Sequence, residues 1–145
     1  MNSAVNQARI TTINSELRRL NTNLDDVNIS LNRANTKLET LTTARNQLNT
    51  LLDNYFRFPT DYSNIGSSIW DNQFRGSLRL DVRVHLQEIE THLQTLKSQH
   101  EDRLNIINDA IRTAENNVTS FRSEINGINN RISLLEGERR TLQWA

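Results

Sequence analysis

Hydrophobic residues recur along this chain at alternating steps of three and four, in two long runs. The first run fills the a and d positions of about six heptads, more than the three or four that indicate a coiled coil. It predicts a helix with one continuous apolar stripe, in which Arg45 is the only charged residue. The run consists of Ile10, Ile13, Leu17, Leu20, Leu24, Val27, Leu31, Ala34, Leu38, Leu41, Arg45, Leu48 and Leu52.

The second run predicts a second helix, and we call the two runs together the seam. Its spacing is four and then four at Leu96, His100 and Leu104. Such a stutter relaxes left-handed supercoiling, so we expect the helix to straighten near His100. The run consists of Val82, Leu86, Ile89, Leu93, Leu96, His100, Leu104, Ile107, Ile111, Ala114, Val118, Phe121, Ile125, Ile128, Ile132, Leu135, Arg139 and Leu142.

One break separates the two runs, between Phe58 and Ser68, and it contains the only proline of the chain. Proline ends a helix because it lacks an N–H and restricts the residue before it, and Ser67 or Ser68 is a suitable N-cap for the next helix. The sequence therefore predicts an all-α fold, a long antiparallel two-helix hairpin with coiled-coil heptads. It forms a single domain, residues 1–145, with a first helix over about residues 5–56, a turn over 57–68 and a second helix over 69–142.

The composition excludes several classes of protein. Hydrophobic residues make up 35% of the 145, with four glycines and one proline, too few strand and turn formers for a many-stranded sheet. The 17 basic and 17 acidic residues balance, so no overall field attracts nucleic acid. Without cysteine the chain has neither disulfides nor thiolate metal sites. A helical interaction protein remains.

The same sequence predicts no stable membrane insertion. No run approaches the 18 apolar residues of a membrane span, and residues 1–15 lack the apolar core of a signal peptide. We expect a cytoplasmic protein that, if it is exported with a partner, uses a route independent of the Sec signal.

Candidate chemistry is sparse, and we expect no enzyme, no cofactor and no metal. There is no glycine-rich phosphate loop and no nucleophile elbow. His85 and His92 lie on one helix face with Glu88 between them, yet this spacing matches no common metal motif. His100 lies on the seam, where a neutral imidazole in a partly wet core is the ordinary interpretation and a pH switch is the alternative.

Uncharged polar residues occupy the e position of the first helix, where coiled coils usually carry Glu and Lys. One interpretation is a compositional preference for asparagine. The other is a ladder of amides that binds a polar stripe on a partner helix. Because asparagine is a mediocre helix former, the ladder also makes the first helix depend on its partner for stability. The candidate partner-binding asparagines are Asn14, Asn21, Asn28 and Asn35, and Gln7, Thr42 and Asn49 complete the set.

Aromatic residues cluster near the break: Tyr55, Phe56, Phe58, Tyr62, Trp70 and Phe74 fall within a short stretch. They either plug the end of the hairpin or form a recognition tip, because Trp and Tyr anchor interfaces. The segment from Trp70 to Gly76 (WDNQFRG), between two long helices in a chain without cysteine, resembles the WXG superfamily of type VII secretion. The similarity is nearest to the small helical partners of LXG toxins.

That resemblance implies a non-enzymatic targeting chaperone or adaptor. In this family the hairpin binds the helical N-terminal domain of a toxin, and a second small helical protein can join the complex. The motif assigns partner binding to Trp70, Phe74, Arg75 and Gly76. Here Phe74-Arg75-Gly76 replaces Trp-x-Gly, and no Tyr-x-x-x-Asp/Glu export signal follows the second helix. The resemblance thus implies a subunit that supports the complex without carrying the export signal.

A structural, homo-oligomeric coiled-coil protein is the alternative function. Two facing helices bury only one stripe each, so the chain alone should self-associate or be partly unfolded. A membrane-surface helical protein is a weaker third hypothesis, because the polar faces lack an excess of Lys and Arg.

Overall fold

A computed structural model of the chain describes residues 3–71 and 77–144, with side chains for 4–55, 57 and 81–144. These residues form two helices, α1 (Ser3–Asp71) and α2 (Ser77–Trp144), and no strand is found among them. The two helices contact each other through residues far apart in the chain, such as Arg9 and Glu138. The predicted all-α helical hairpin is confirmed.

Contacts group the chain into two compact units, and each unit contains parts of both helices. Unit 1 comprises Met1–Glu39 and Arg112–Ala145, and unit 2 comprises Thr40–Ile111. Within unit 1, Arg9 contacts Glu138 and Glu16 contacts Arg131, so the helices run antiparallel there. The prediction of a single domain over residues 1–145 stays a prediction.

The seam predicted from the heptads forms the core of both units. Every hydrophobic side chain that is buried in the described part of the chain lies on a predicted seam position. In unit 1, Ile13, Leu17, Leu20 and Leu135 form one cluster, against which Ile128, Ile132 and Leu142 pack. The full set is Ile13, Leu17, Leu20, Leu48, Leu52, Ile111, Ala114, Val118 and Leu135.

The predicted turn over residues 57–68 is wrong, because α1 continues through this segment to Asp71. Pro59 lies inside α1, and Ser67 and Ser68, which we expected to cap the second helix, are also inside it. The second helix begins at Ser77 and not at residue 69. The predicted end of the first helix at residue 56 is therefore wrong as well.

The register of the helix pair explains why the local signal at Pro59 is overridden. A proline has a helical φ, but inside a helix it removes one backbone hydrogen bond and its ring clashes with the carbonyl four residues earlier, which together cost about 3 kcal/mol. Counted along the chain, the paired residues of unit 1 lie almost equally far from the end of α1 and from the beginning of α2. Arg9 lies 62 residues before Asp71, and Glu138 lies 61 residues after Ser77.

Two neighbouring leucines of α2 test how much of the stability resides in the seam. Leu135 is 1% exposed and Leu134 is 67% exposed. We expect Leu135→Ala to lower the free energy of unfolding by about 2–5 kcal/mol, as truncation of a buried leucine does. Leu134→Ala, the matched control, should change it by less than about 0.5 kcal/mol. Urea denaturation followed by circular dichroism measures both, and equal effects would contradict the assignment of the seam as the core.

Candidate partner-binding site

The aromatic segment that carries the resemblance lies at the end of α1. Trp70 belongs to the last turn of α1, whereas the sequence suggested the first turn of the second helix. Its side chain is not among those described, and Phe74, Arg75 and Gly76 lie outside the described residues. The role of these four residues in partner binding remains a prediction.

The asparagines of the e position differ in exposure. Asn21 and Asn28 are exposed, while Asn14 and Asn35 are half-buried. Asn14 Oδ1 accepts a hydrogen bond of 3.1 Å from Arg139 Nη1, so this amide contacts α2 of its own chain. The exposed pair therefore has the surface that an incoming helix needs, and Asn14 has an internal function.

The hydrogen bond of Asn14 follows from the place of Arg139 on the seam. Arg139 occupies a seam position and is half-buried. A guanidinium withdrawn from water needs acceptors, because an unpaired buried donor costs free energy. The amide oxygen of Asn14 supplies one of these acceptors. The packing of unit 1 thus gives Asn14 a structural role, and its role in partner binding stays a prediction.

Two ion pairs, which the sequence analysis did not identify, join the helices of unit 1 along one edge of the seam. Arg9 donates from Nε to Glu138 Oε1 at 2.7 Å and from Nη2 to Oε2 at 3.0 Å. Arg131 donates from Nη2 and Nε to Glu16 Oε1, at 2.8 and 3.0 Å. All four residues immediately precede a seam position, a simple signal that could have found them.

The order of the charges fixes the register. Arg9 and Glu16 are seven residues apart on α1, and Arg131 and Glu138 are seven apart on α2. A slip of one heptad would place Arg9 against Arg131 or Glu16 against Glu138. The exposed pairs add little stability themselves, because water screens them. Their main effect is to exclude the slipped registers.

The Arg9–Glu138 pair also makes unit 1 sensitive to acid. The hydrogen bond from Arg9 lowers the pKa of the Glu138 carboxyl, and that carboxylate raises the pKa of the Arg9 guanidinium. A carboxyl with a lowered pKa in the folded state stabilises the fold above the unfolded value, about 4.3 for glutamate. That stabilisation is lost as the pH falls through the lowered pKa.

Two of the three histidines contact their own helix, and the third contacts the other helix. His85 Nδ1 lies 2.7 Å from the Asp81 carbonyl oxygen, and His92 Nδ1 lies 2.7 Å from that of Glu88. Across the residues that the structure describes, no group of three or more His, Cys, Asp or Glu side chains is placed to hold a metal ion.

His100 packs against Tyr55, with ring centroids 5.4 Å apart, and its buried Nδ1 has no hydrogen-bond partner.

Two predicted seam residues of α2 are exposed, in line with the expectation that a pair of helices leaves part of the seam uncovered. Ile89 is 46% exposed and Leu96 is 43% exposed, whereas Leu86 and Leu93 are half-buried. The stutter at His100 explains why Ile89 and Leu96 are exposed. It leaves two possible heptad phases for the part of α2 before His100, and these two residues lie on the seam in only one of them. Leu51 of α1, also in unit 2, is 48% exposed. Sequence analysis missed these three residues as a surface.

Neither described helix includes a segment with the length and apolarity required to cross a membrane. Comparisons of the chain with protein-family models, with curated proteins and with solved structures gave no match in any of the three.

Reversal of the charges of one ion pair tests the register. Arg9→Glu should lower the melting temperature by a few degrees at low salt, because two carboxylates then face each other across the seam. The double variant Arg9→Glu/Glu138→Arg should recover most of the loss, and high salt should weaken both effects. Thermal unfolding followed by circular dichroism measures these shifts. A double variant no more stable than the single one would contradict an interhelical pair.

Proposed function

We propose that this protein is a non-enzymatic targeting chaperone or adaptor, which binds the helical N-terminal domain of a type VII-secreted LXG toxin. The resemblance of the segment from Trp70 to Gly76, which begins in the last turn of α1 and ends one residue before α2 begins, supports the choice of partner. A second small helical protein can join the complex. The adaptor acts in the cytoplasm and leaves the cell, if at all, with its partner by a route independent of Sec.

The observation that carries this proposal is the balance between buried and exposed hydrophobic side chains. In the described part of the chain nine hydrophobic residues are buried, and nine large hydrophobic residues are more than 40% exposed. Burial of one such side chain contributes about 1.5–3 kcal/mol. A partner that covers several of them therefore adds substantially to the stability of the fold. The exposed set is Val5, Ile29, Leu51, Val84, Ile89, Leu96, Ile106, Leu134 and Trp144.

The two units contribute unequally to this balance. Among the described side chains, six of the buried residues belong to unit 1 and three to unit 2, namely Leu48, Leu52 and Ile111. The side chains of residues 56 and 58–80, all in unit 2, are not among those described. Unit 1 also has the two interhelical ion pairs. In the described part of unit 2, five large hydrophobic residues are exposed and three are buried, so a partner has apolar surface to cover there.

A structural homo-oligomeric coiled coil is the second candidate function, and the zero net charge favours it. With 17 basic and 17 acidic residues, copies of the chain do not repel one another through net charge. The exposed hydrophobic residues could then be covered by further copies. The two functions differ in what the chain binds most tightly.

Co-expression with the helical N-terminal domain of an LXG toxin encoded beside this chain tests the proposal. We expect a stable heterocomplex by light scattering, with a higher melting temperature than the chain alone, because a ligand of the native state stabilises it. The toxin's C-terminal domain, expressed alone, is the control and should not bind. A sharply melting monomer, or a homo-oligomer that ignores the toxin domain, would contradict the proposal.

Substitutions in the aromatic segment test its predicted role. If Trp70 anchors the partner, Trp70→Ala should weaken binding of the toxin domain by at least about 2 kcal/mol, the range of interface hot spots. If Trp70 only plugs the hairpin, the same change should lower folding stability by about 3–5 kcal/mol. Calorimetric titration and urea denaturation of Trp70→Ala and Phe74→Ala separate the two. Unchanged affinity of the folded fraction in both variants would exclude a recognition role.

A further inference from the structure

The edge of the seam that holds the ion pairs of unit 1 is apolar in unit 2. Leu51 lies six heptads after Arg9 on α1, and Leu96 lies six heptads before Glu138 on α2. Ile89 lies six heptads before Arg131, also on α2. All three are between 43% and 48% exposed. We call Leu51, Ile89 and Leu96 the open edge.

The residues beside the open edge are uncharged. Side chains three or four residues from an edge residue share its helix face, and the exposed ones among them are Gln47, Asn54, His85, His92 and Gln99. The two histidine rings are held by carbonyl oxygens of their own helix. An uncharged border lets an apolar helix approach without the cost of burying unpaired charges.

One cation, Arg103, follows the uncharged border residues on the same face of α2. Arg103 lies one heptad after Leu96, it is exposed, and no described carboxylate pairs with it. Ile106, three residues further, is 68% exposed and extends the apolar surface. A partner that covers Leu96 and Ile106 would bring a side chain close to Arg103. A carboxylate there gains a charge-assisted hydrogen bond.

We propose that the open edge binds one amphipathic helix of the partner protein, with its aliphatic stripe on Leu51, Ile89 and Leu96 and a carboxylate on Arg103. The inference rests on the proposed function and assigns the binding face and the chemistry of the partner helix. An amphipathic helix fits because two antiparallel helices offer a groove along their common edge. It covers the part of unit 2 that its own core leaves exposed.

The charges favour a different protein over a second copy of this chain as the occupant. When the open edge docks on itself, the edge and border residues of one copy lie against those of the other. Those residues include no carboxylate. A covered guanidinium without a partner is costly. A helix that carries Asp or Glu at that point removes the cost.

Single substitutions test the proposal in the full-length chain, with the purified helical N-terminal domain of the neighbouring LXG toxin as the probe. Leu96→Asn should weaken binding at least about 30-fold, the range of an interface hot spot. Leu51→Asn on the other helix should act in the same direction. Leu134→Asn, at an exposed leucine of unit 1, is the matched control and should change affinity less than about twofold. Arg103→Glu should weaken binding about tenfold or more, and Arg103→Lys should retain most of it.

Calorimetric affinities, corrected for the folded fraction, and light scattering of the chain alone give the outcomes. Weakened binding for the edge variants with an unaffected control supports the proposal. If the wild-type chain binds and both edge variants bind equally well, the open edge is not the site, although the proposed function stands. If the wild-type chain does not bind, the proposed function fails and this inference fails with it. If the chain alone is a dimer that Leu96→Asn dissociates, the occupant is a second copy and the proposal is overturned.

Discussion

Burial of one apolar stripe per helix, in a single antiparallel register, is the constraint on which the rest of the structure depends. Ile13, Leu17, Leu20 and Leu135 form a core only when α1 and α2 meet in the correct phase. The hydrophobic stripe does not select among registers that differ by a heptad, because it repeats every seven residues. The reversed order of charges in the Arg9–Glu138 and Arg131–Glu16 pairs makes that selection in unit 1.

The heptads sufficed to predict the helical fold, and every buried hydrophobic residue among those described lies on the seam. They did not show which seam residues are left exposed, as Ile89 and Leu96 are. The turn could not be placed from the sequence, since the rule that proline ends a helix is local and the helix ends follow the register of the pair. Pro59 therefore lies inside α1. The hydrogen bond from the half-buried Arg139 to Asn14 could not be predicted from the heptads, because they do not show which side chain an arginine on the seam contacts on the other helix.

The exposed surface of unit 2 was hidden from sequence analysis by the stutter. Two phases of the seam are possible upstream of His100, and a periodic pattern alone does not decide between them. Ile89 and Leu96 are exposed and lie whole heptads from Arg131 and Glu138. The same edge position is thus closed by ion pairs in unit 1 and left apolar in unit 2. In the proposed adaptor, unit 1 is therefore the stable part, and unit 2 is the part that binds the partner.

Amide hydrogen exchange of the chain, alone and with the helical domain of the toxin, tests this division of roles most directly. Exchange reports local opening, which is easiest where few side chains are buried. Without the partner, amides of residues 44–55 and 85–106 should exchange faster than those of residues 10–20 and 128–139. With the partner, protection should rise mainly in the first two segments. Protection that rises only in unit 1, or in neither unit, would contradict binding of the partner at unit 2.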